Sequence, residues 1–221
     1  MTLVRHGQAS LGADNYDELS PLGVQQSVWL GEYFAQRQVT FDQVIIGAQH
    51  RHRQTLDGLS RSLCLPSVDP PDVRLNELDF HCLLASYLAR NPNHPKPGRG
   101  DVRGMFSTFK LAMSAWADGT LGDDMPESAQ QFIDRVGQFL ASVTQHSTAK
   151  NILVITSGGP ISTVLKHVMG FGMDTLVALQ VQSRNTALSH LYFNQSATYL
   201  TSFNHVPHLD QPARLNAITH A

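Results

Sequence analysis

Charge is scarce in this chain. Asp, Glu, Lys and Arg make up 15% of its 221 residues, against about 25% in ordinary soluble domains. A net charge of −2 supplies no basic surface of the kind a general nucleic-acid binder needs. Cysteine is scarcer still. Cys64 and Cys82 are too few for a disulfide framework and lack metal-ligand spacing, so they read as small, buried or partly buried thiols in a reducing compartment. No stretch approaches the roughly 20 apolar residues of a membrane helix. The start Met1-Thr2-Leu3-Val4-Arg5-His6 is not that of a signal peptide. A soluble, cytoplasmic protein with no membrane or nucleic-acid partner is therefore expected. Lysine is rare as well, at four against twelve arginines. The planar guanidinium grips phosphate or carboxylate with two bonds at once, so this imbalance points to an anionic small ligand.

What is present is globular: 42% hydrophobic residues, with 16 Gly and 11 Pro and no repeat period or low-complexity tract. Thr2 to Val4 reads as a short strand that delivers Arg5-His6-Gly7 to a loop. Ser20-Pro21 is a helix opening, Ser as N-cap and Pro at the first position, with apolar spacing to about Gln36. Val44-Ile45-Ile46 is a second strand, followed by Gly47-Ala48-Gln49-His50 and a helix carrying Leu56, Leu59 and Leu63. Residues 81–126 read as an insertion, with three prolines and two glycines between Asn91 and Gly100 and a short helical pattern around Phe106 to Trp116. Glu127 opens an amphipathic helix bearing Phe132, Val136, Phe139, Leu140 and Val143. Asn151 to Thr156 is a buried strand ending at Ser157-Gly158-Gly159-Pro160, after which Ile161, Val164, Leu165 and Val168 restore helical spacing. Residues 186–193 and 197–203 alternate as two late strands, a hairpin across Asn194-Gln195.

Strands alternating with helices predict an α/β sheet covered on both faces, with ligands beyond the carboxyl ends of the strands. Arg5-His6-Gly7, Gln49 to Arg53 and Ser157-Gly158-Gly159 all fall there, so one pocket would gather them. A histidine beside an arginine has the parts of a phosphate nucleophile, an imidazole nitrogen to attack and a guanidinium to hold oxygens. Gly7 would let the backbone come close to an anion. Read alone, the tripeptide is more often an ordinary turn with a surface histidine.

The ordered set is more specific. Leu3-Val4-Arg5-His6-Gly7-Gln8-Ala9, then Leu19-Ser20-Pro21-Leu22-Gly23 with Gln25-Gln26, resembles the opening of the histidine phosphatase superfamily, the phosphoglycerate-mutase-like fold. Arg51-His52-Arg53-Gln54-Thr55 resembles that family's second arginine motif, and Arg74-Leu75-Asn76-Glu77-Leu78-Asp79-Phe80 the segment supplying its acid. Glu127-Ser128 with Phe132 and Arg135-Val136 resembles the helix before the last motif, and Ser202-Phe203-Asn204 with His208-Leu209 the C-terminal signature. The resemblance runs from residue 2 to about 209.

The resemblance implies one domain over residues 1–221. It would be a three-layer α/β sandwich with a mostly parallel central sheet, helices on both faces, and the 81–126 insertion as a lid over the active site. It implies a cofactor-independent phosphomonoesterase acting on a small phosphorylated substrate, with no metal. His6 would become a phosphohistidine and Glu77 would be the acid and base, while Arg5, Arg51, Gly7, Ser157 and Gly158 hold the phosphate. A phospho-ligand-binding protein with weak or no turnover is the alternative, and a phosphoglycerate mutase the less favoured one. Two departures stand out. The family has a histidine where this chain has Ser157, and many members have an asparagine near the place of Gly12. Ser157 would then mark a vacancy, with His50, His52, His190 or His205 folding into it as the less favoured alternative, and Ser157→His should raise turnover roughly tenfold or more if the pocket is preformed. His50 and His52, which flank Arg51, are read as solvated or pocket-rim side chains, and the stretch with Lys96, Arg99 and Arg103 as a solvated loop.

Overall fold

Three short strands, β1 (Thr2–Arg5), β2 (Gln43–Ile46) and β3 (Ile152–Thr156), are apolar almost throughout and buried on both sides. That pattern belongs to parallel strands covered by helices. In the computed structural model, which describes residues 1–10, 17–98 and 101–220, they pair in parallel, with Leu3 and Ile45 flanking Val154 from opposite edges. Gly12, Arg99 and Gly100 lie outside the described residues. The late hairpin forms as the alternation predicts: β4 (Leu188–Phe193) and β5 (Thr198–His205) are joined by a turn in which the Asn194 N–H donates to Ala197 O at 2.9 Å. It adds antiparallel beside β1. The sheet order is β2-β3-β1-β4-β5, two parallel and two antiparallel pairings, so the sheet is mixed.

Alternation along the strands divides the core in two. Val4, Val44, Ile46, Leu153 and Ile155 face Leu30 and Phe34 of α1 (Pro21–Gln36) and Leu56 and Leu59 of α2 (His50–Leu59). Ser20 caps α1 as its sequence predicts, accepting the Gly23 N–H at 3.0 Å. On the opposite face Leu3, Ile45, Ile152 and Val154 meet the helices of the second half of the chain. Phe132, Val136 and Phe139 come from α5 (Ala129–His146), and Ile161, Val164 and Leu165 from α6 (Gly158–Met169). Each such side chain contributes about 1.5–3 kcal/mol when fully buried. Gly170, at φ 73°, ends α6 in the left-handed conformation that a side chain would resist.

The insertion carries more helix than its composition predicts. Asp79 accepts the Cys82 N–H and caps α3 (Phe80–Arg90), while Asp101 accepts the Gly104 N–H and caps α4 (Val102–Ala117). These acidic caps lie outside the apolar patterns, which is why apolar spacing alone misses α3 and shortens α4. Leu83, Met113, Trp116 and Leu121 join the α5–α6 core, so residues 81–126 are anchored to the body of the molecule. α7 (Met173–Gln182) is likewise not predicted from the sequence. It is apolar around most of its girth rather than on one face, and buries Leu176, Val177 and Gln180. No helix among the described residues is long and apolar enough to cross a membrane.

Candidate active site

Parallel pairing brings the carboxyl ends of β1, β2 and β3 to one edge of the sheet, with Arg5 beside Thr156 and Ile46 beside Ile155. The ladder continues one residue further. His6 N–H donates to Thr156 O at 2.8 Å and Gly47 N–H to Ile155 O at 3.0 Å. The three segments singled out in the sequence therefore leave the sheet side by side, as expected for an α/β ligand site.

His6 is buried and its ring orientation is fixed. Nδ1 donates to Gly7 O at 2.7 Å, which leaves Nε2 with its lone pair. Burial, followed by the charges of Arg51 and Arg5 and the His52 ring, holds its pKa well below the ordinary 6.5, although the Gly7 carbonyl opposes the shift. The imidazole is thus neutral and available as a nucleophile at neutral pH. Asn185 Nδ2 reaches the His6 carbonyl at 3.3 Å and is itself held by Thr219 Oγ1 at 2.9 Å, a buried support beneath the loop. Gly7 donates its N–H to Thr55 Oγ1 at 3.1 Å. Its missing side chain serves packing, since a Cβ there would overlap the Gly23 carbonyl of α1. The close approach that needs glycine at this position is to the start of α1.

Arg5 and Arg51 are both buried. Arg5 donates to the Ser183 carbonyl, and its Nε lies 3.7 Å from where a Cβ on Gly158 would stand. Arg51, in the first turn of α2, pairs with Asp17 through Nη1 at 2.9 Å and with Gln49 Oε1 through Nη2 at 2.8 Å. Gln49 also accepts the Glu77 N–H at 3.0 Å, which ties Arg51 to Glu77.

Glu77 follows a single 3-10 turn, Val73–Leu75, and turns its carboxyl toward the start of α6. Oε2 accepts the Gly159 N–H at 2.9 Å and Oε1 the Leu78 N–H at 3.0 Å. Burial pushes its pKa up; Gly159, Arg51, Leu78 and Arg5 each pull the other way without cancelling the rise. A carboxyl so placed retains its proton above the ordinary carboxylate range. Gln180 lies against the same corner, its carboxamide buried and without a hydrogen bond among the described residues.

Ser157 and His52 depart from the sequence expectation. His52 is fully buried rather than solvated or at the rim, and its Nε2 lies 2.8 Å from Ser157 Oγ. Its ring centroid is 5.8 Å from that of His6. The position of Ser157 is thus no vacancy, because an imidazole from α2 already reaches it. His50, two residues earlier, is exposed as expected. Asn185 and Gln180 are not predicted from the sequence, because they occur within no chemical motif, whereas Gln49 opens the stretch Gln49 to Arg53 that the sequence places at the pocket. Among the described residues no cluster of three or more His, Cys, Asp and Glu side chains is arranged to hold a metal.

A histidine and two arginines thus gather at one end of the α/β sheet with a buried carboxyl beside them. Residues 99–206 match the histidine phosphatase superfamily (branch 1), a stretch that includes β3, Ser157 and Gly158 and lies beyond His6, Arg51 and Glu77. The whole length of the chain is similar to a protein of Hydrogenobacter thermophilus provisionally named phosphoserine phosphatase 2, at 24% identity over 95% of this chain and 97% of that one. The fold matches the α-ribazole phosphatase of Shigella flexneri, with a TM-score of 0.67 at 21% identity over 93% of this chain and 96% of the other. It also matches a phosphoserine phosphatase of Entamoeba histolytica in complex with 3-phosphoglyceric acid, with a TM-score of 0.64 at 20% identity over 94% and 98%.

Proposed function

We propose that the chain hydrolyses small phosphate monoesters through a phosphohistidine at His6, with Glu77 as acid and then base and with no cofactor. The observation that carries this reading is the convergence of His6, Arg5, Arg51 and Glu77 in one buried cluster, close enough that both guanidinium groups act on His6 and on Glu77. Relatives named as phosphatases, along the whole chain and in the same fold, support it.

In the first step His6 Nε2 attacks phosphorus, forming a P–N bond as the bond to the leaving oxygen breaks. Glu77 gives its proton to that oxygen. In the second step Glu77, now a carboxylate, takes a proton from water while the water oxygen attacks phosphorus and the P–N bond breaks. Inorganic phosphate leaves, with His6 and Glu77 back in their starting states. Arg5 and Arg51 hold the non-bridging oxygens, where charge gathers in phosphoryl transfer. Ser157 and Gly158, at the start of α6, complete the cradle from the side of β3, and the helix N-terminus favours the anion. Gly7 holds the loop that presents His6.

Steady-state hydrolysis of an aryl phosphate by the parent and by His6→Ala tests the reading. Turnover that vanishes in the variant agrees with it, and turnover that survives removes it. A parent that binds phosphate without hydrolysing any ester would instead favour the phospho-ligand-binding alternative.

A further inference from the structure

Ser157 occupies the N-cap position of α6, where a serine hydroxyl ordinarily accepts an N–H from the first turn. Here it caps nothing. The hydroxyl is turned to His52 Nε2, 2.8 Å away, across 105 residues of sequence. Both side chains are fully buried. Desolvating an imidazole and a hydroxyl together is costly unless each satisfies the other. The seat is specific as well: a Cβ at Gly47 would overlap His52 Nδ1, so the ring lies against a backbone that only glycine leaves open. This buried polar pair adjoins the proposed nucleophile, its imidazole 5.8 Å from that of His6 between ring centroids.

Resting on the phosphoryl-transfer reading above, we propose that His52 is a positioning residue for the reaction: it donates Nε2–H to Ser157 Oγ and so directs the Ser157 O–H onto a phosphoryl oxygen held by Arg5 and Arg51. The pair supplies a hydrogen-bond donor with a fixed direction, and neither proton leaves its atom during the reaction. Burial, then the Arg51 charge, lowers the His52 pKa to about 3 against the opposing pull of the Gly47 backbone; the ring is therefore neutral, and the proposal places its one proton on Nε2. A preorganised donor of this kind needs no reorientation as charge develops on the transferring group.

The test uses the full chain with His52→Gln, His52→Leu and Ser157→Ala, each checked for folding. Hydrolysis of an aryl phosphate is measured alongside calorimetric affinity for orthovanadate. Glutamine keeps a donor near the place of Nε2, whereas leucine keeps only bulk. His52→Leu and Ser157→Ala should each lower kcat by about tenfold or more, and KM by less than about threefold in either direction. His52→Gln should stay within about fivefold of the parent, and adding His52→Leu to Ser157→Ala should cost little more, because the two act as a unit. A folded His52→Leu with kcat close to the parent overturns the proposal; so does a His52→Gln as impaired as His52→Leu, or two losses that multiply. If His52→Leu does not fold, Ser157→Ala carries the test alone, and parental kcat in it overturns the pair. A parent that binds vanadate without turnover removes the hydrolytic reading only. The pair is then judged by vanadate affinity, which His52→Leu should weaken about tenfold and His52→Gln by less than fivefold. A parent that neither turns over nor binds vanadate overturns both.

Discussion

Glu77 and Gly159, 82 residues apart, approach more closely than any side chain at position 159 would allow. Oε2 takes the Gly159 N–H at 2.9 Å, and a Cβ on Gly159 would overlap Oε1. Gly159 lies in the first turn of α6, so its role is to make room for the carboxyl. Gly159→Ala should displace Glu77 while leaving His6 and both arginines in place. Hydrolysis of an alkyl phosphate should fall about tenfold or more, with phosphate affinity nearly kept. Kinetics on an alkyl ester beside calorimetry with inorganic phosphate checks this; parental kcat would mean that Glu77 does not act from this position.

Glu77 also sets the expected pH dependence. Its pKa is raised, chiefly by burial, so the protonated acid persists above the ordinary carboxylate range and is lost as pH rises through the raised value. Alkyl phosphate turnover should therefore fall on the alkaline side. His6 is held well below its ordinary 6.5, so no acid limb is expected near 6.5. Glu77→Gln should remove the alkaline limb and cost about a hundredfold or more on alkyl esters, but less on aryl esters, whose phenolate leaves with less help. Equal losses on both would assign Glu77 to binding instead.

The outcome for Ser157→His reverses the sequence expectation. A second imidazole at a fully buried site already engaged by His52 must push one ring aside. The single variant should lose activity by about tenfold or more, and His52→Ala combined with Ser157→His should regain part of it. Rates for the parent and the two variants on one aryl phosphate check this, and a rise in the single variant would restore the vacancy reading.

Much of this architecture is legible in the amino-acid sequence. Ser20-Pro21 marks the start of α1, and the apolar runs at 44–46 and 151–156 mark two central strands, because burial on both faces leaves an unbroken apolar signature. Arg5-His6-Gly7, Arg51 and Glu77 are legible as a set through their order along the chain. His52 is not, and the reason is geometric. It lies two residues from His50, roughly 200° around a helix, so one ring is exposed and the other reaches Ser157. Which of them faces inward depends on how α2 packs over β3, and local spacing does not carry that information. α3 and α7 escape for other reasons: the Asp79 cap of α3 lies outside its apolar pattern, and α7 is apolar around most of its girth, so no polar face marks it.

Buried neutral histidines make a prediction for stability. His52, by burial and then Arg51, and His208, by burial and then Arg214, are both lowered to about 3. Below about pH 6.5 the unfolded chain binds protons that these folded side chains refuse. Their contribution is complete above that value and is lost as pH falls toward 3. Each adds a slope of up to about 1.4 kcal/mol per pH unit within that window. Urea unfolding from pH 7 to pH 4 should show stability falling, and His52→Gln should reduce the slope by about one proton. An unchanged slope would mean that His52 is protonated in the folded state.

The most direct measurement is to trap the intermediate. The protein is mixed with an aryl phosphate, quenched into alkali and digested, and the peptides are mapped by mass spectrometry. The account predicts an alkali-stable, acid-labile phosphoryl group on His6, absent in His6→Ala and longer-lived in Glu77→Gln. Turnover with no phosphoryl group on His6 under conditions that preserve phosphohistidine, or a phosphoryl group on another residue, would contradict it.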